Sequence, residues 1–418
     1  MKSPNLRHLR RRQFVGALGL ALLAPMAGAS VAGAAPGGRT RPVTMTLPPP
    51  TGPYPVGTAS LHLVDPSRPD PWLTTRSARE LMTTVWYPSL PVPGRRPALQ
   101  LPPHVAAEWQ QLVETREDFS VKPGGADWAA TRTHAVTGAP VRRRPGGLPV
   151  VLYSPGRNMP RGFGTVLAEE LASRGCLVVA VDHTHETIAV EFPDGRVART
   201  QDATETATLR ALVDVRVADV RFVLDRLETP HRGGAPDADR RPLPSGLAGC
   251  ADLTAVGMFG HSIGGATAAQ AMHDDPRIRA AADLDGAVGA GANAIGSVVD
   301  GGLDRPFLLM NSVLGNSRDE VLATLWKNLR GWHRNLQIPT AGHYAYTDLQ
   351  AQLPPIAAAG NMPADRPAAL VGTVDPARSV RAQRAYLSAF FDVHLRHRPD
   401  HGLFDGPSAA HPEVSFID

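Results

Sequence analysis

The apolar positions fall into short runs that alternate with amphipathic stretches. Leu148–Tyr153, Cys176–Val181, Leu253–Phe259, Ile278–Leu284, Pro306–Met310 and Asn335–Ile338 are nearly continuous apolar segments. Runs of that length without strict alternation predict strands buried on both faces. Between them lie helical patterns at Gly162–Ser173, Thr204–Leu227, Gly264–Met272, Glu320–Leu329 and Val380–Arg396. The clearest repeat is Leu209, Leu212, Val213, Val217, Val220, Val223, Leu224 and Leu227, one face of a long helix. Strands alternating with helices predict an α/β fold with a mostly parallel sheet covered on both sides. Thr58–Val64 and Leu81–Tyr87 are rich in β-formers and predict a strand pair ahead of it. Residues 95–147 are irregular apart from a helical patch at Val105–Glu114. That is too long for a plain loop and predicts an insertion or cap.

The chain of 418 residues has 43% hydrophobic and 20% charged residues, which excludes a disordered or collagen-like polymer. Its 40 Gly and 40 Pro predict many turns, and residues 35–57 form a Pro/Gly-rich arm. The net charge of +4 is concentrated at one end, where Lys2, Arg7, Arg10, Arg11 and Arg12 stand without a nearby acid. The basic balance therefore belongs to the first 34 residues and gives no reason to expect a nucleic-acid partner. In the same segment, Arg11-Arg12-Gln13-Phe14 leads into an apolar run to Ala24 and then to Ala32-Gly33-Ala34. This is the order of an export signal, with the paired arginines of the twin-arginine type. The run is too short to span a bilayer. Export to the cell envelope or beyond is expected, with the mature chain starting near Ala35. Residues 58–418 then make one domain. Cys176 and Cys250 are the only cysteines. Both a disulfide and two buried thiols fit an exported chain.

The chemistry is carried by Gly260-His261-Ser262-Ile263-Gly264, a G-x-S-x-G sequence between a predicted strand and a predicted helix. That context makes Ser262 a candidate nucleophile on a tight strand-to-helix turn of an α/β-hydrolase. Such a site needs an acid and then a histidine later in the chain. Asp283 and Asp285 end the next strand, and Asp285 is nearer the point where the chain leaves the sheet. Asp319 is the rival. His343, after the last strand and a glycine, is the candidate base. His333 lies at the wrong end of that strand, and His394 and His397 fall on the terminal helix. The expected oxyanion donors are the backbone N–H groups of Ile263 and Arg157, since Pro155 has none to give. His183-Thr184-His185-Glu186 is too sparse for a metal site. Nucleotide-binding sequences are missing, so no cofactor is expected.

Thr51-Gly52-Pro53-Tyr54-Pro55-Val56-Gly57, His62-Leu63-Val64-Asp65, Val85-Trp86-Tyr87-Pro88, Gly260–Gly265 and Leu284-Asp285 resemble the platelet-activating-factor acetylhydrolase-like family. The resemblance runs from Thr51 to Tyr346. It implies a secreted ester hydrolase acting on short or oxidised acyl chains of phospholipids, with transient contact to a lipid surface. It also places the acid after the strand that follows the nucleophile helix, in favour of Asp285. Pro155-Gly156 and Gly286-Ala287 depart from the vertebrate members, and the family's membrane-docking helices have no clear match. A carboxylesterase, lipase or polyester hydrolase uses the same three residues. An inactive binding protein is the alternative of a different class.

Overall fold

The computed structural model describes residues 41–232, 234–290, 293–313 and 320–417. The predicted export signal and Asp319 lie outside them. Ten strands form one sheet: β1 Val56–Asp65, β2 Arg79–Pro88, β3 Val136–Thr137, β4 Leu148–Ser154, β5 Leu177–Asp182, β6 Ala251–His261, β7 Ile278–Leu284, β8 Phe307–Asn311, β9 His333–Gln337 and β10 Ser415–Phe416. Their order is β10-β9-β8-β7-β6-β4-β5-β2-β1-β3. The six strands from β5 to β9 are parallel, and the apolar runs are these strands. β1 and β2 are the predicted pair, here antiparallel, and β2 joins the sheet antiparallel to β5.

Among the described residues the seven longer helices are α1 Pro103–Thr115, α2 Thr165–Ser173, α3 Leu209–Glu228, α4 Ile263–Asp274, α5 Glu320–Asn328, α6 Leu349–Ala358 and α7 Pro376–Arg396. They cover both faces of the sheet. Val151 and Tyr153 of β4 pack into one apolar cluster with α1, α2, α6 and α7. Val150 and Leu152 point the other way, into a cluster with α3, α4 and α5. The alternation of a strand thus feeds two cores at once. The helix predicted from Thr204 is divided: Asp202–Thr206 forms a short helix, and α3 begins at Leu209, where the Thr208 side chain accepts the Ala211 N–H and caps it.

The arm is tied down from Arg41 onward. Met45 and Leu47 are buried, and the Thr51 hydroxyl and N–H both donate to Glu170. Within the insertion, Val105, Trp109, Phe119 and Trp128 are each no more than 2% exposed. Packing on the core is therefore what these side chains do. Trp109 sits 4.5 Å from Phe163 and Phe119 5.7 Å from Tyr344, ring centre to ring centre. The insertion braces the segments that follow β4 and β9, and both border the candidate site.

Cys176 and Cys250 are unpaired and buried, each in a different apolar cluster. Burial pushes both thiols up to about 11, so little thiolate exists at neutral pH. A thiol reagent should find no reactive group in the native protein and two after unfolding without reductant. Finding none after unfolding would mean that they are bonded.

Candidate active site

Ser262 stands between β6 and α4 with φ 58° and ψ −129°. A non-glycine residue in that region stores roughly 1–3 kcal/mol of backbone strain. The neighbouring glycines make the turn feasible. A Cβ on Gly264 would lie 2.0 Å from the Ser154 carbonyl oxygen, and one on Gly260 2.0 Å from that of Gly264. The turn is anchored by the Ser262 N–H, which donates to the Leu284 carbonyl at 3.0 Å.

The structure brings Ser262, His343 and Asp285 together. Ser262 Oγ lies 3.0 Å from His343 Nε2, and His343 Nδ1 lies 2.7 Å from Asp285 Oδ2. Asp285 Oδ1 accepts the Ser312 N–H at 2.6 Å. Burial opposes charge on Asp285, but the bonds from His343 and Ser312 outweigh it and hold the carboxyl below its ordinary range. The hydroxyl and imidazole are partly open to solvent, whereas the carboxylate is buried. Such a chain can transfer a proton from the hydroxyl to the imidazole and stabilise the cation that results.

Asp283 and Asp285 do not share a face, although alternation along a strand predicts that they do. β7 ends at Leu284, and Asp285 takes a left-handed φ of 55° that turns its side chain toward His343. Asp283 stays under the serine turn, where Oδ1 accepts the Gly286 N–H at 2.7 Å. Burial pushes its carboxyl up to about 8, against that one N–H bond and with the charge of Asp285 adding to the rise.

The N–H groups of Ile263 and Arg157 have no acceptor among the described residues. The first opens α4, whose initial N–H groups favour negative charge. The second belongs to the loop after β4, and its side chain turns aside to donate to the Thr204 carbonyl at 2.7 Å.

Two residues near the site had no reading in the sequence. His261 is buried, its Nε2 is 2.9 Å from the His343 carbonyl, and its ring centre is 4.6 Å from that of His343. Burial, helped by the His343 charge, drives its imidazole down to about 3, so it stays neutral and its Nε2–H donates. Arg216 lies behind the β4 loop. Its signal was a charge inside the apolar stripe of α3, four residues after Leu212 and four before Val220. The residues His183, His185 and Glu186 bond separately to Asp219, the Arg199 carbonyl and Arg216, and among the described residues no metal-holding cluster occurs. Two clefts of about 420 and 440 Å³ lie away from the serine, one under the insertion beside Trp86 and Leu101 and one beside His185 and Phe192.

Comparison with known proteins identifies the family. Residues 42–314 match the family described as platelet-activating factor acetylhydrolase, isoform II. The chain is 28% identical over 407 residues to a probable 1-alkyl-2-acetylglycerophosphocholine esterase of Arthroderma benhamiae, covering 90% of this chain and 95% of that one. It is also similar to the solved structure of a ferulic acid esterase from Streptomyces cinnamoneus. That match has 38% identity and a TM-score of 0.72, over 90% of this chain and all of the other. The chain therefore belongs to the platelet-activating factor acetylhydrolase, isoform II, family and is a carboxylic ester hydrolase with an α/β fold.

Proposed function

We propose that this protein is an exported serine esterase that removes short acyl groups from esters, including the short or oxidised acyl chains of phospholipids. The observation that carries the reading is Ser262 on a strained turn, with Oγ 3.0 Å from His343 Nε2. Ser262 Oγ attacks the ester carbonyl while its proton passes to His343 Nε2. Asp285 holds the imidazolium through Nδ1, and the N–H groups of Ile263 and Arg157 receive the oxyanion. His343 then protonates the departing alcohol and leaves an acyl-serine. Water, deprotonated by the same imidazole, attacks that ester; the imidazolium returns the proton to Ser262 Oγ as the acyl bond breaks, and the carboxylic acid leaves. The family supports the phospholipid reading, and the Arg11-Arg12 pair with Ala32-Gly33-Ala34 supports export.

A second reading has its own support. The ferulic acid esterase matches over its whole length, which favours esters of an aromatic acid. A panel of linear acyl esters, a short-chain phosphatidylcholine analogue, methyl ferulate and a long-chain triglyceride separates these readings. Each methylene that finds apolar surface adds about 0.8 kcal/mol until the site is full. The expected result is an optimum between acetyl and hexanoyl esters with turnover of the phosphatidylcholine analogue. A preference for methyl ferulate would move the substrate to aromatic acids. A preference for the triglyceride would overturn both readings.

A further inference from the structure

The loop that carries the Arg157 N–H rests on a buried polar network. Ser154, His183, Glu186, Arg216 and Asp219 are each at most 1% exposed. Arg216 Nε donates to both carboxylate oxygens of Glu186, at 2.8 and 2.9 Å. Its Nη1 donates to the Pro155 carbonyl at 2.5 Å and to Ser154 Oγ at 3.2 Å. Its Nη2 lies 3.4 Å from the Gly156 carbonyl, which also accepts the Met159 N–H at 3.2 Å.

On the far side of Ser154, Oγ is 3.0 Å from His183 Nε2, and His183 Nδ1 is 3.0 Å from Asp219 Oδ2. Arg79 donates to Asp219 from Nε and Nη2, at 3.1 and 2.8 Å. Burial and the Arg216 charge lower the His183 imidazole against the pull of Asp219, which leaves it neutral. The proton placement is then unique: Arg216 donates to Ser154, Ser154 to His183, and His183 Nδ1–H to Asp219. The order serine, histidine, aspartate repeats that of the active site. Here, however, the hydroxyl is sealed from substrate.

In a trans peptide, the carbonyl and the following N–H point in opposite directions, and no cis bond occurs among the described residues. Arg216 holds the Pro155 and Gly156 carbonyls, which turns the N–H groups of Gly156 and Arg157 away from the network. Glycine at 156 leaves the loop pressed against His261, whose Nδ1 would lie 2.8 Å from a Cβ there.

We infer that Arg216, clamped by Glu186, is a positioning residue that sets the oxyanion-binding N–H of Arg157. The role rests on the serine-esterase reading above. A clamp made of a paired, buried guanidinium resists rotation, because either peptide flip would leave a buried charge or carbonyl without its bond.

The test is the double variant Arg216→Met/Glu186→Leu, which removes both charges together and replaces them with apolar side chains, and the single variant Arg216→Lys. The lysine keeps a charge for Glu186 but cannot span two carbonyls and a carboxylate. The readouts are kcat and KM on a short acyl ester, inhibition by a trifluoromethyl ketone that forms a tetrahedral adduct, and circular-dichroism melting. Loss of one aligned oxyanion donor lowers kcat on the order of 10²-fold. The expected result is that loss in every variant that folds, with KM changed less than about threefold and ketone affinity falling in step with kcat. If the double variant does not fold, Arg216→Lys decides alone. A folded variant with kcat within threefold of the parent, or with KM and kcat changed together while ketone affinity is kept, would overturn the inference. Ser262→Ala, run alongside, keeps the two claims apart. If it stays active, the esterase reading fails; if it is dead while the Arg216 variants are fully active, only the positioning role fails.

Discussion

Ser262→Ala is expected to reduce kcat by about 10⁶-fold and leave the fold intact. The alanine keeps the Cβ and the N–H that bonds to the Leu284 carbonyl, so the turn between β6 and α4 keeps its anchor. What disappears is the hydroxyl oxygen 3.0 Å from His343 Nε2, the atom that would attack a carbonyl. Residual turnover of about 10³–10⁴ over water would come from binding and from oxyanion donors. His343→Ala should lose nearly as much, and the two together little more than either, because the groups act as a unit. Initial rates on purified variants, with melting curves as the fold control, check this. A folded Ser262→Ala variant with more than about 1% of parental kcat would exclude the serine as nucleophile.

Asp285→Asn should lower kcat by about 10⁴-fold at neutral pH. The reason lies in the two bonds of the carboxylate. Oδ1 accepts the Ser312 N–H at 2.6 Å, so an amide would place its oxygen there. Its NH₂ would then face His343 Nδ1, where the structure has a carboxylate oxygen at 2.7 Å. An imidazole that accepts at Nδ1 carries its proton on Nε2 and cannot take one from Ser262. Asp319→Asn, by contrast, should stay within about twofold of the parent, because Asp285 already bonds His343 Nδ1. Parallel rate measurements on the two variants decide between the acids. Full activity in Asp285→Asn with a large loss in Asp319→Asn would reverse the assignment.

Much of this architecture was legible in the chain because its strands are buried on both faces. Continuous apolar runs such as Leu148–Tyr153 leave few other placements. Features resting on a few residues were not. β3 and β10 are two residues long, too short for any period. α6 contains Pro354 and Pro355 in its interior, which argue against a helix from sequence. At the site, Ser262 and His343 were marked by their glycine neighbours and by their place after a strand. The separation of Asp283 from Asp285 was not marked, because it depends on one left-handed residue after the strand end. Arg216 and Asp219 show the opposite lesson. Both lie on the buried face of α3, where charge is costly unless paired, and their partners come from β2 and the segment after β5. A helical stripe shows which residues go inside but not what meets them there.

The most direct test of Ser262 as the nucleophile is covalent labelling. The purified protein is treated with a fluorophosphonate, digested and mapped by mass spectrometry. The phosphonyl group is expected on one peptide, at Ser262, with activity lost in proportion to labelling. Prior heat unfolding or His343→Ala should suppress the reaction, since the hydroxyl is then no longer activated. Labelling at another residue that tracks the loss of activity, or full inhibition with Ser262 unmodified, would contradict the account.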